Sequence, residues 1–319
     1  MGKFNWGTHT ITDNEIVLAG YDSFNTLKTA QKYCTKIAKA NYENFIISNW
    51  FTPKNIKQHI ENIYAFCRYG DDLGDDAPFP TSGRLLLLNE WMDDLERAFG
   101  SEENPWSGIP RHPILIAVSH TANEFNIPIT PFKRLIEAFK FDQEKFRYNN
   151  FQELKNYCIH SADPVGHLFL YIYGYNDEEL QKISDNTCTA LQLANHWQDV
   201  SRDLDQNRIY MPIEEMERFN YSLEEYQKRT VNDEWRALMR FQVERARDLF
   251  EKGSLLWDKV DSRLAVDLRM FTMGGLAVLD AIESQGYDTW NKRPKIGKLK
   301  QLRMLMASRK LWKEAHKKG

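Results

Sequence analysis

The sequence predicts an all-α fold in a single domain. Apolar residues recur at helical spacing through a series of long stretches, and no run of useful length alternates apolar and polar residues as a half-buried strand does. No short-period repeat and no low-complexity linker interrupts the 319 residues. A chain of that size has room for one large domain or two smaller ones, and the lack of a linker selects one. Long helices that carry polar residues inward suit a bundle that houses a site.

In chain order, residues 1–20 show no clear periodicity and read as a loose arm. A helix is expected from Ser23 to about Lys39, followed by the polar, aromatic turn Asn41-Tyr42-Glu43-Asn44-Phe45. Thr52-Pro53 is a helix start, with Thr as N-cap and Pro at the first position, where its missing N–H is unneeded. That helix runs through Ile60, Ile63 and Phe66 into an acidic cluster, and Pro78, Pro80 and Gly83 close it. Arg84–Phe99 is the next, with Gly100 as its C-cap, and Ser101–Pro110 is a polar loop. Helices follow at 113–125 and from Thr130-Pro131 to about 147. Phe151–Tyr173 has a helical pattern with Pro164 inside it. An interior proline costs about 3 kcal/mol, so a break is expected there. Further helices are predicted at 177–206, 231–256 and 261–285, with a loop and a short helix over 207–230. A basic helix over 298–316 ends the chain, with Leu299, Leu302, Leu305, Arg309 and Trp312 along one side.

Apolar residues make up 42% of the chain, enough for a sizeable core. Its 14 Tyr, 18 Phe and 9 Trp suit an apolar-lined cavity and equally an ordinary core. Net charge is −3, unevenly spread. Residues 291–319 hold eleven Lys/Arg and one Glu, against 31 basic and 44 acidic residues elsewhere. Such a tail either touches an anionic membrane surface or a phosphate, or is a solvated helix face. No basic patch is interleaved with aromatics, so nucleic acid is not an expected partner. Cys34, Cys67, Cys158 and Cys188 form no CxxC pair and read as free thiols of a reducing cytoplasm. The N-terminus lacks a signal-peptide pattern. The apolar stretches Val165–Tyr175 and Met270–Leu279 are too short to cross a bilayer. A cytoplasmic protein is expected, with peripheral contact at the inner membrane face through its basic tail.

The chemistry sits in two acidic stretches. In Leu191–Asp205, the residues Ala190, Leu193, Trp197, Val200 and Leu204 form a core-facing stripe. Gln192, Asn195, Asp199 and Asp203, at i, i+3, i+7 and i+11, line another side of the same helix. In Tyr64–Asp76, the residues Tyr64, Arg68, Asp71 and Asp75 recur at i, i+4, i+7 and i+11. Carboxylates one turn apart repel, and carboxylates near a helix C-terminus oppose the macrodipole at about 0.3–1 kcal/mol each. A divalent cation reverses both signs. Mg²⁺ takes oxygen ligands and binds through carboxylates together with substrate phosphates, so two facing Asp-rich helices would hold Mg²⁺ against a diphosphate. The planar forks of Arg68 and Arg208 suit phosphate oxygens. Zinc is not expected: the eight His are scattered, and His160 and His167 lack a third soft ligand at ligand spacing.

These residues resemble the squalene/phytoene synthase family. The resemblance is carried by Tyr64-Ala-Phe-Cys-Arg68-x-x-Asp71-Asp72-x-x-Asp75 and by Leu191-Gln192-x-x-Asn195-x-x-x-Asp199-x-x-x-Asp203, running on into Asn207-Arg208-Ile209-Tyr210. It covers roughly Cys34 to Lys298. It implies an isoprenoid synthase fold, a helical bundle around a central apolar cavity, in which Mg²⁺ assists ionisation of a prenyl diphosphate. Carried over by position, Asp71, Asp75, Asn195, Asp199 and Asp203 bind Mg²⁺. Tyr64, Arg68, Gln192, Gln198 and Arg208 contact the diphosphate or the allylic end of the substrate, with Asn41, Tyr42, Asn44 and Phe45 near a diphosphate.

Within the family the chain most resembles the bacterial hydroxysqualene synthases of squalene and hopanoid pathways. The residues concerned are Tyr42-Glu43-Asn44-Phe45, Ser161–Gly166 and Thr189–Val200. Squalene and carotenoid synthases usually carry Ala-Gly-x-Val-Gly where this chain has Ala162-Asp163-Pro164-Val165-Gly166. The implied reaction is presqualene diphosphate plus water giving hydroxysqualene and diphosphate, without a nicotinamide. Carbonyls freed at Pro164, with Asp163 or His160, are expected to order the water. Tyr157 is either a cation stabiliser or a buried structural tyrosine. Two alternatives stand beside this reading: head-to-head condensation of prenyl diphosphates (squalene, dehydrosqualene or phytoene synthase), and a non-catalytic assembly factor.

Overall fold

The computed structural model describes residues 27–40, 54–100, 110–297, 306–307 and 310–311. The helices bounded within the described residues follow in order: α1 Leu27–Ala40, α2 Lys54–Asp75, α3 Thr81–Phe99, α4 Pro113–Phe125, α5 Thr130–Glu144, α6 Phe151–Ser161, α7 Asp163–Ile172, α8 Glu178–Asp205, α9 Ile213–Arg218, α10 Leu223–Gln227, α11 Asp233–Ser254 and α12 Ser262–Ser284. Among the described residues there is no strand, only an isolated parallel bridge between Arg147 and Ile209. No described helix is long and apolar enough to cross a membrane. The predicted arm over 1–20 and the turn carrying Asn41, Tyr42, Asn44 and Phe45 lie outside the described residues, as does most of the expected basic helix over 298–316. Of that helix, Met306, Ala307, Lys310 and Leu311 are described, and they are helical.

The described residues fall into two compact units. One comprises those up to Glu144 together with Leu168–Tyr175; the other comprises Lys145–His167 and those from Asn176 onward. In the first unit α2 packs on α1, α3, α4 and α5. Its core gathers Ile60, Ile63 and Phe66 of α2 with Trp91 and Leu95 of α3, Leu115 and Val118 of α4, and Phe132 and Ile136 of α5. Phe66 stacks on Trp91 at 5.4 Å and meets Phe132 edge-on at 5.2 Å. α5 comes close to α2 because Gly70 and Gly74 present no side chain: a Cβ on Gly70 would lie 2.4 Å from Phe139 Cε2. α3 begins three residues before the predicted Arg84, and Gly100 caps it with φ 73° as expected.

His112 is the N-cap of α4, its Nδ1 accepting from the Ile114 N–H at 3.2 Å. Burial among Tyr69 and Trp91 pushes its pKa down to about 3. The unfolded imidazole titrates near 6.5. The folded state therefore keeps its full advantage above pH 6.5 and loses it as pH falls from there toward 3, because the unfolded chain takes up the proton first. Between pH 7 and 4 the wild type should lose about 3 kcal/mol more stability than His112→Asn, which keeps a capping oxygen and removes the titration. Urea midpoints across that range check it; parallel pH profiles for the two proteins would contradict it.

In the second unit α8 packs against α11, α12 and α6. The predicted inner stripe holds: Ala190, Leu193, Trp197 and Val200 are buried, while Leu204 is half-buried. Asp177 caps α8, its Oδ1 accepting from the N–H groups of Glu179 and Leu180. Two glycines set the helix spacing. A Cβ on Gly253 of α11 would lie 2.9 Å from the Thr187 backbone nitrogen, and one on Gly275 of α12 would lie 2.2 Å from Phe250 Cζ.

The predicted break within Phe151–Tyr173 is present, but it falls at Ala162, and Pro164 is the second residue of α7. This corrects the expectation of an interior proline. In the first turn a missing N–H is one of the orphan donors, so Pro164 costs α7 no ladder bond. The Ala162 carbonyl is taken by the Val165 N–H at 3.1 Å. Gly166 is required just beyond, since a Cβ there would lie 2.5 Å from both Cys188 Sγ and Ser184 Oγ on α8.

Candidate functional site

The first acidic stripe occupies the last three turns of α2. Tyr64, Arg68 and Asp71 are half-buried, and Asp75 is exposed. Arg68 organises the cluster: its guanidinium donates to Asp71 Oδ2 at 3.1 Å, to Asp72, and to Asp76 Oδ2 at 3.3 Å. The C-terminal carbonyls that the acids oppose are themselves satisfied. Gly74 O accepts from Arg84 Nη1 at 2.9 Å and from Gln143 Nε2 at 3.0 Å, and Ala77 O accepts from Arg84 Nε. Arg84 thus lays a positive group on the negative end of the helix. Even so, desolvation, and next the charge of Asp75, push the Asp71 carboxyl up to about 7. Asp142 of α5 adds to that repulsion. Burial also raises Asp72 and the Tyr64 phenol, with Arg68 opposing the shift at both.

The second stripe lies along α8 as spaced in the sequence: Gln192, Asp199 and Asp203 are half-buried and Asn195 is exposed. Asp199 is held by Arg293, which donates to it through Nε and through Nη2, the latter at 2.9 Å to Oδ2. Arg293 Nη2 also reaches Gln198 Oε1 at 2.9 Å, and Gln198 Nε2 donates to Pro294 O at 2.8 Å. Gln198 is therefore buried off the polar stripe, with its amide committed to the segment that follows α12. That segment is anchored further by Trp290, packed on Tyr226 and Trp235. The end of α8 is fixed by Asn207 at φ 61°, whose side-chain oxygen accepts from Arg147 Nη2 at 2.8 Å. Arg208 follows, its N–H on Asp203 O at 2.8 Å and its Nη1 on Gln206 Oε1 at 3.1 Å.

Beside Gln192 lies an aromatic group in the same unit. His196 stacks on Tyr210 at 3.7 Å, and the Tyr157 ring is 5.7 Å from Tyr148, 5.8 Å from Tyr210 and 6.1 Å from His196. Burial first, and Arg208 second, hold the His196 pKa down at about 3, so its imidazole is neutral at ordinary pH. Asp163 is 3% exposed and accepts from Thr189 Oγ1 at 2.9 Å, whereas His160 Nδ1 is bonded to the Asn156 carbonyl of its own helix. Each of the two alternatives for ordering the water, Asp163 and His160, thus has its own protein partner. All four cysteines are free, and burial raises every thiol, Cys34 and Cys67 to about 12.

Both stripes fit Mg²⁺. Every donor is a hard oxygen, Asp71 is raised by burial and then by the neighbouring charge of Asp75, both of which a cation would offset, and Asp199 already holds a positive partner in Arg293. Sequence reasoning missed Asp142 and Arg293. Asp142 lies on a helix with no acidic motif. Arg293 stood in the basic tail, where its charge was visible but its partner, 94 residues away, was not.

The family model described as squalene/phytoene synthase matches residues 23–300. The chain is 30% identical over 284 residues to 15-cis-phytoene synthase of Synechococcus elongatus, covering 84% of this chain and 88% of that protein. It is 30% identical over 297 residues to phytoene synthase of Arthrospira platensis, covering 88% and 92%. Among solved structures, squalene synthase HpnC from Alicyclobacillus acidocaldarius superposes with a TM-score of 0.76 at 40% identity, over 82% of this chain and 95% of that one. A dehydrosqualene synthase solved with ligand superposes with a TM-score of 0.78 at 22% identity, over 91% and 99%, a likeness of fold.

Proposed function

Because the chain belongs to the squalene/phytoene synthase family, we propose that it ionises presqualene diphosphate and directs water onto the rearranged cation, giving hydroxysqualene and diphosphate. The observation that carries this reading is the corner Ala162–Gly166, where a buried carboxylate, Asp163, sits at a helix break in place of the usual Ala-Gly-x-Val-Gly run. The 40% identity to the Alicyclobacillus protein supports the same branch of the family.

In this mechanism Asp71 and Asp75 on α2, and Asn195, Asp199 and Asp203 on α8, would hold Mg²⁺. When bound, Mg²⁺ supplies Lewis-acid charge to the diphosphate oxygens. Arg68, Arg208 and Gln192 bind and orient the diphosphate, and Tyr64 contacts its allylic end. The C–O bond breaks with its electron pair leaving on diphosphate. Water then adds to the carbocation and gives up one proton. The neutral His196 and the ring of Tyr157 present no positive charge to that cation, and the Tyr157 π-face attracts it. Gln198 acts through Arg293, which it positions beside Asp199. Asp163, which accepts from Thr189 Oγ1 at 2.9 Å, polarises the entering water.

A second reading is head-to-head condensation of two prenyl diphosphates. It is favoured by the phytoene synthase relatives at 30% identity and by the squalene synthase name of the Alicyclobacillus structure. One experiment separates the two. Purified protein with Mg²⁺ and no reductant is given presqualene diphosphate in ¹⁸O-water, and separately farnesyl diphosphate alone. Hydroxysqualene carrying ¹⁸O from the first, with farnesyl diphosphate left intact in the second, is the expected result. Consumption of farnesyl diphosphate to a condensed product would replace the first reading by the second.

A further inference from the structure

We propose that His59, His120 and Glu124, none of them part of either acidic stripe, form a second metal site, for a borderline transition-metal cation such as Zn²⁺, that ties α2 to α4. His59 lies on α2, and His120 and Glu124 lie one turn apart on α4. Their ligand atoms all fall within 4.8 Å of one another. Glu124 Oε2 is 3.3 Å from His120 Nε2, and Glu124 Oε1 is 3.8 Å from His59 Nε2.

The hydrogen bonds behind His59 decide which of its nitrogens faces the cluster. Thr121, fully buried, gives its one hydroxyl proton to Ala117 O at 3.0 Å. Its oxygen then accepts from Asn62 Nδ2 at 3.0 Å and from His59 Nδ1 at 3.1 Å. Asn62 is locked in turn, its Oδ1 accepting from Gln58 Nε2 at 2.9 Å. With the Thr121 proton on Ala117 O, the matching His59 tautomer carries its proton on Nδ1 and offers the Nε2 lone pair toward the Glu124 carboxylate. Two acceptors facing each other at 3.8 Å repel unless a cation lies between them. An imidazole whose far nitrogen donates to a fixed oxygen is the arrangement metal-binding histidines use to hold their ring and tautomer. Phe125 fixes the ring further, edge-on at 4.8 Å.

Donors around a tetrahedral Zn²⁺ are about 3.3 Å apart, given bond lengths near 2.0–2.1 Å. One pair already stands at that spacing. The remaining separations close by turns of the His120 and Glu124 side chains, which are 38% and 49% exposed. Two imidazoles and one carboxylate leave a fourth position open to water, and imidazole donors select against Mg²⁺.

The inference is independent of the proposed reaction. Chelator-treated full-length protein is titrated with Zn²⁺ by calorimetry in excess Mg²⁺, which saturates the acidic stripes. One equivalent of saturable Zn²⁺ is expected, weakened at least about tenfold in His120→Ala, in Glu124→Gln and in Thr121→Val. Co²⁺ in its place should give the visible bands of a four-coordinate site. Mg²⁺-dependent turnover should be unchanged in His120→Ala and Glu124→Gln, whose side chains are partly exposed. Absence of saturable Zn²⁺ binding to the wild type, or less than tenfold weakening in the double variant His120→Ala/Glu124→Gln with a native circular dichroism spectrum, overturns the proposal.

Discussion

Asp199→Ala is expected to lower turnover of the prenyl diphosphate by about a thousandfold while leaving the fold intact. Lewis-acid stabilisation of a departing diphosphate is worth several kcal/mol, and each 1.36 kcal/mol is a factor of ten in rate. Asp199 is half-buried on the polar side of α8, so its removal opens no core cavity. It has two partners to account for, however. Both of its oxygens accept from Arg293, and Arg202 lies 3.6 Å away. If the only task of Asp199 were to hold Arg293, then Arg293→Ala would reproduce the defect. We expect instead a loss of about 10–100-fold in Arg293→Ala with the Mg²⁺ requirement little changed, the size seen when a group supporting a metal ligand is removed. Asp199→Asn should raise the Mg²⁺ concentration for half-maximal rate. Rate against Mg²⁺ concentration for the three variants checks this, and an unchanged Mg²⁺ requirement in Asp199→Asn would remove Asp199 from the metal ligands.

Gly253→Ala is expected to destabilise the protein by about 2–3 kcal/mol, the usual cost of forcing extra volume into a packed contact. The added Cβ would lie 2.1 Å from Thr187 Oγ1, 2.9 Å from the Thr187 nitrogen and 3.1 Å from its Cβ. The hydroxyl can rotate away, but the backbone nitrogen belongs to α8 and moves only with the helix. Since α8 carries Gln192, Asn195, Asp199 and Asp203, the same change should also lower turnover. Gly274→Ala supplies the control. A Cβ there meets nothing within 4 Å, and alanine in a helix interior is favoured over glycine by about 0.5–1 kcal/mol. Urea unfolding should therefore move the two variants in opposite directions. Equal midpoints would mean that α11 does not press on α8 at Gly253.

The fold class and most helix bounds were legible because helical periodicity and capping are local. Residues 113–125 were predicted as the helix that the structure has, and α8, α11 and α12 each lie within two residues of their expected ends. Where a bound was misjudged, a local rule met a nonlocal choice. Pro164 reads as an interior breaker only if one helix is assumed; once Ala162 ends α6, the same proline sits comfortably in the first turn of α7. The two stripes were legible for a similar reason, since i, i+3, i+4 and i+7 neighbours share a face of any helix they belong to.

What the sequence by itself determined is the all-α class, the placement of most helices, and two sets of oxygen donors on single helices. Only the tertiary structure decided which distant groups stand against those donors. Arg293 is brought to Asp199 from 94 residues away, Asp142 to Asp71 from a neighbouring helix, and His59 to His120 and Glu124 across α2 and α4. The eight His read as scattered because His59 and His120, which the fold brings together, lie on different helices. The physical reason is one of range. Backbone hydrogen bonding and side-chain period act within a turn or two, whereas a pair across two helices depends on how closely and at what register those helices pack. That spacing is set by contacts such as Gly70 on Phe139 and Gly253 on Thr187, which no local pattern encodes.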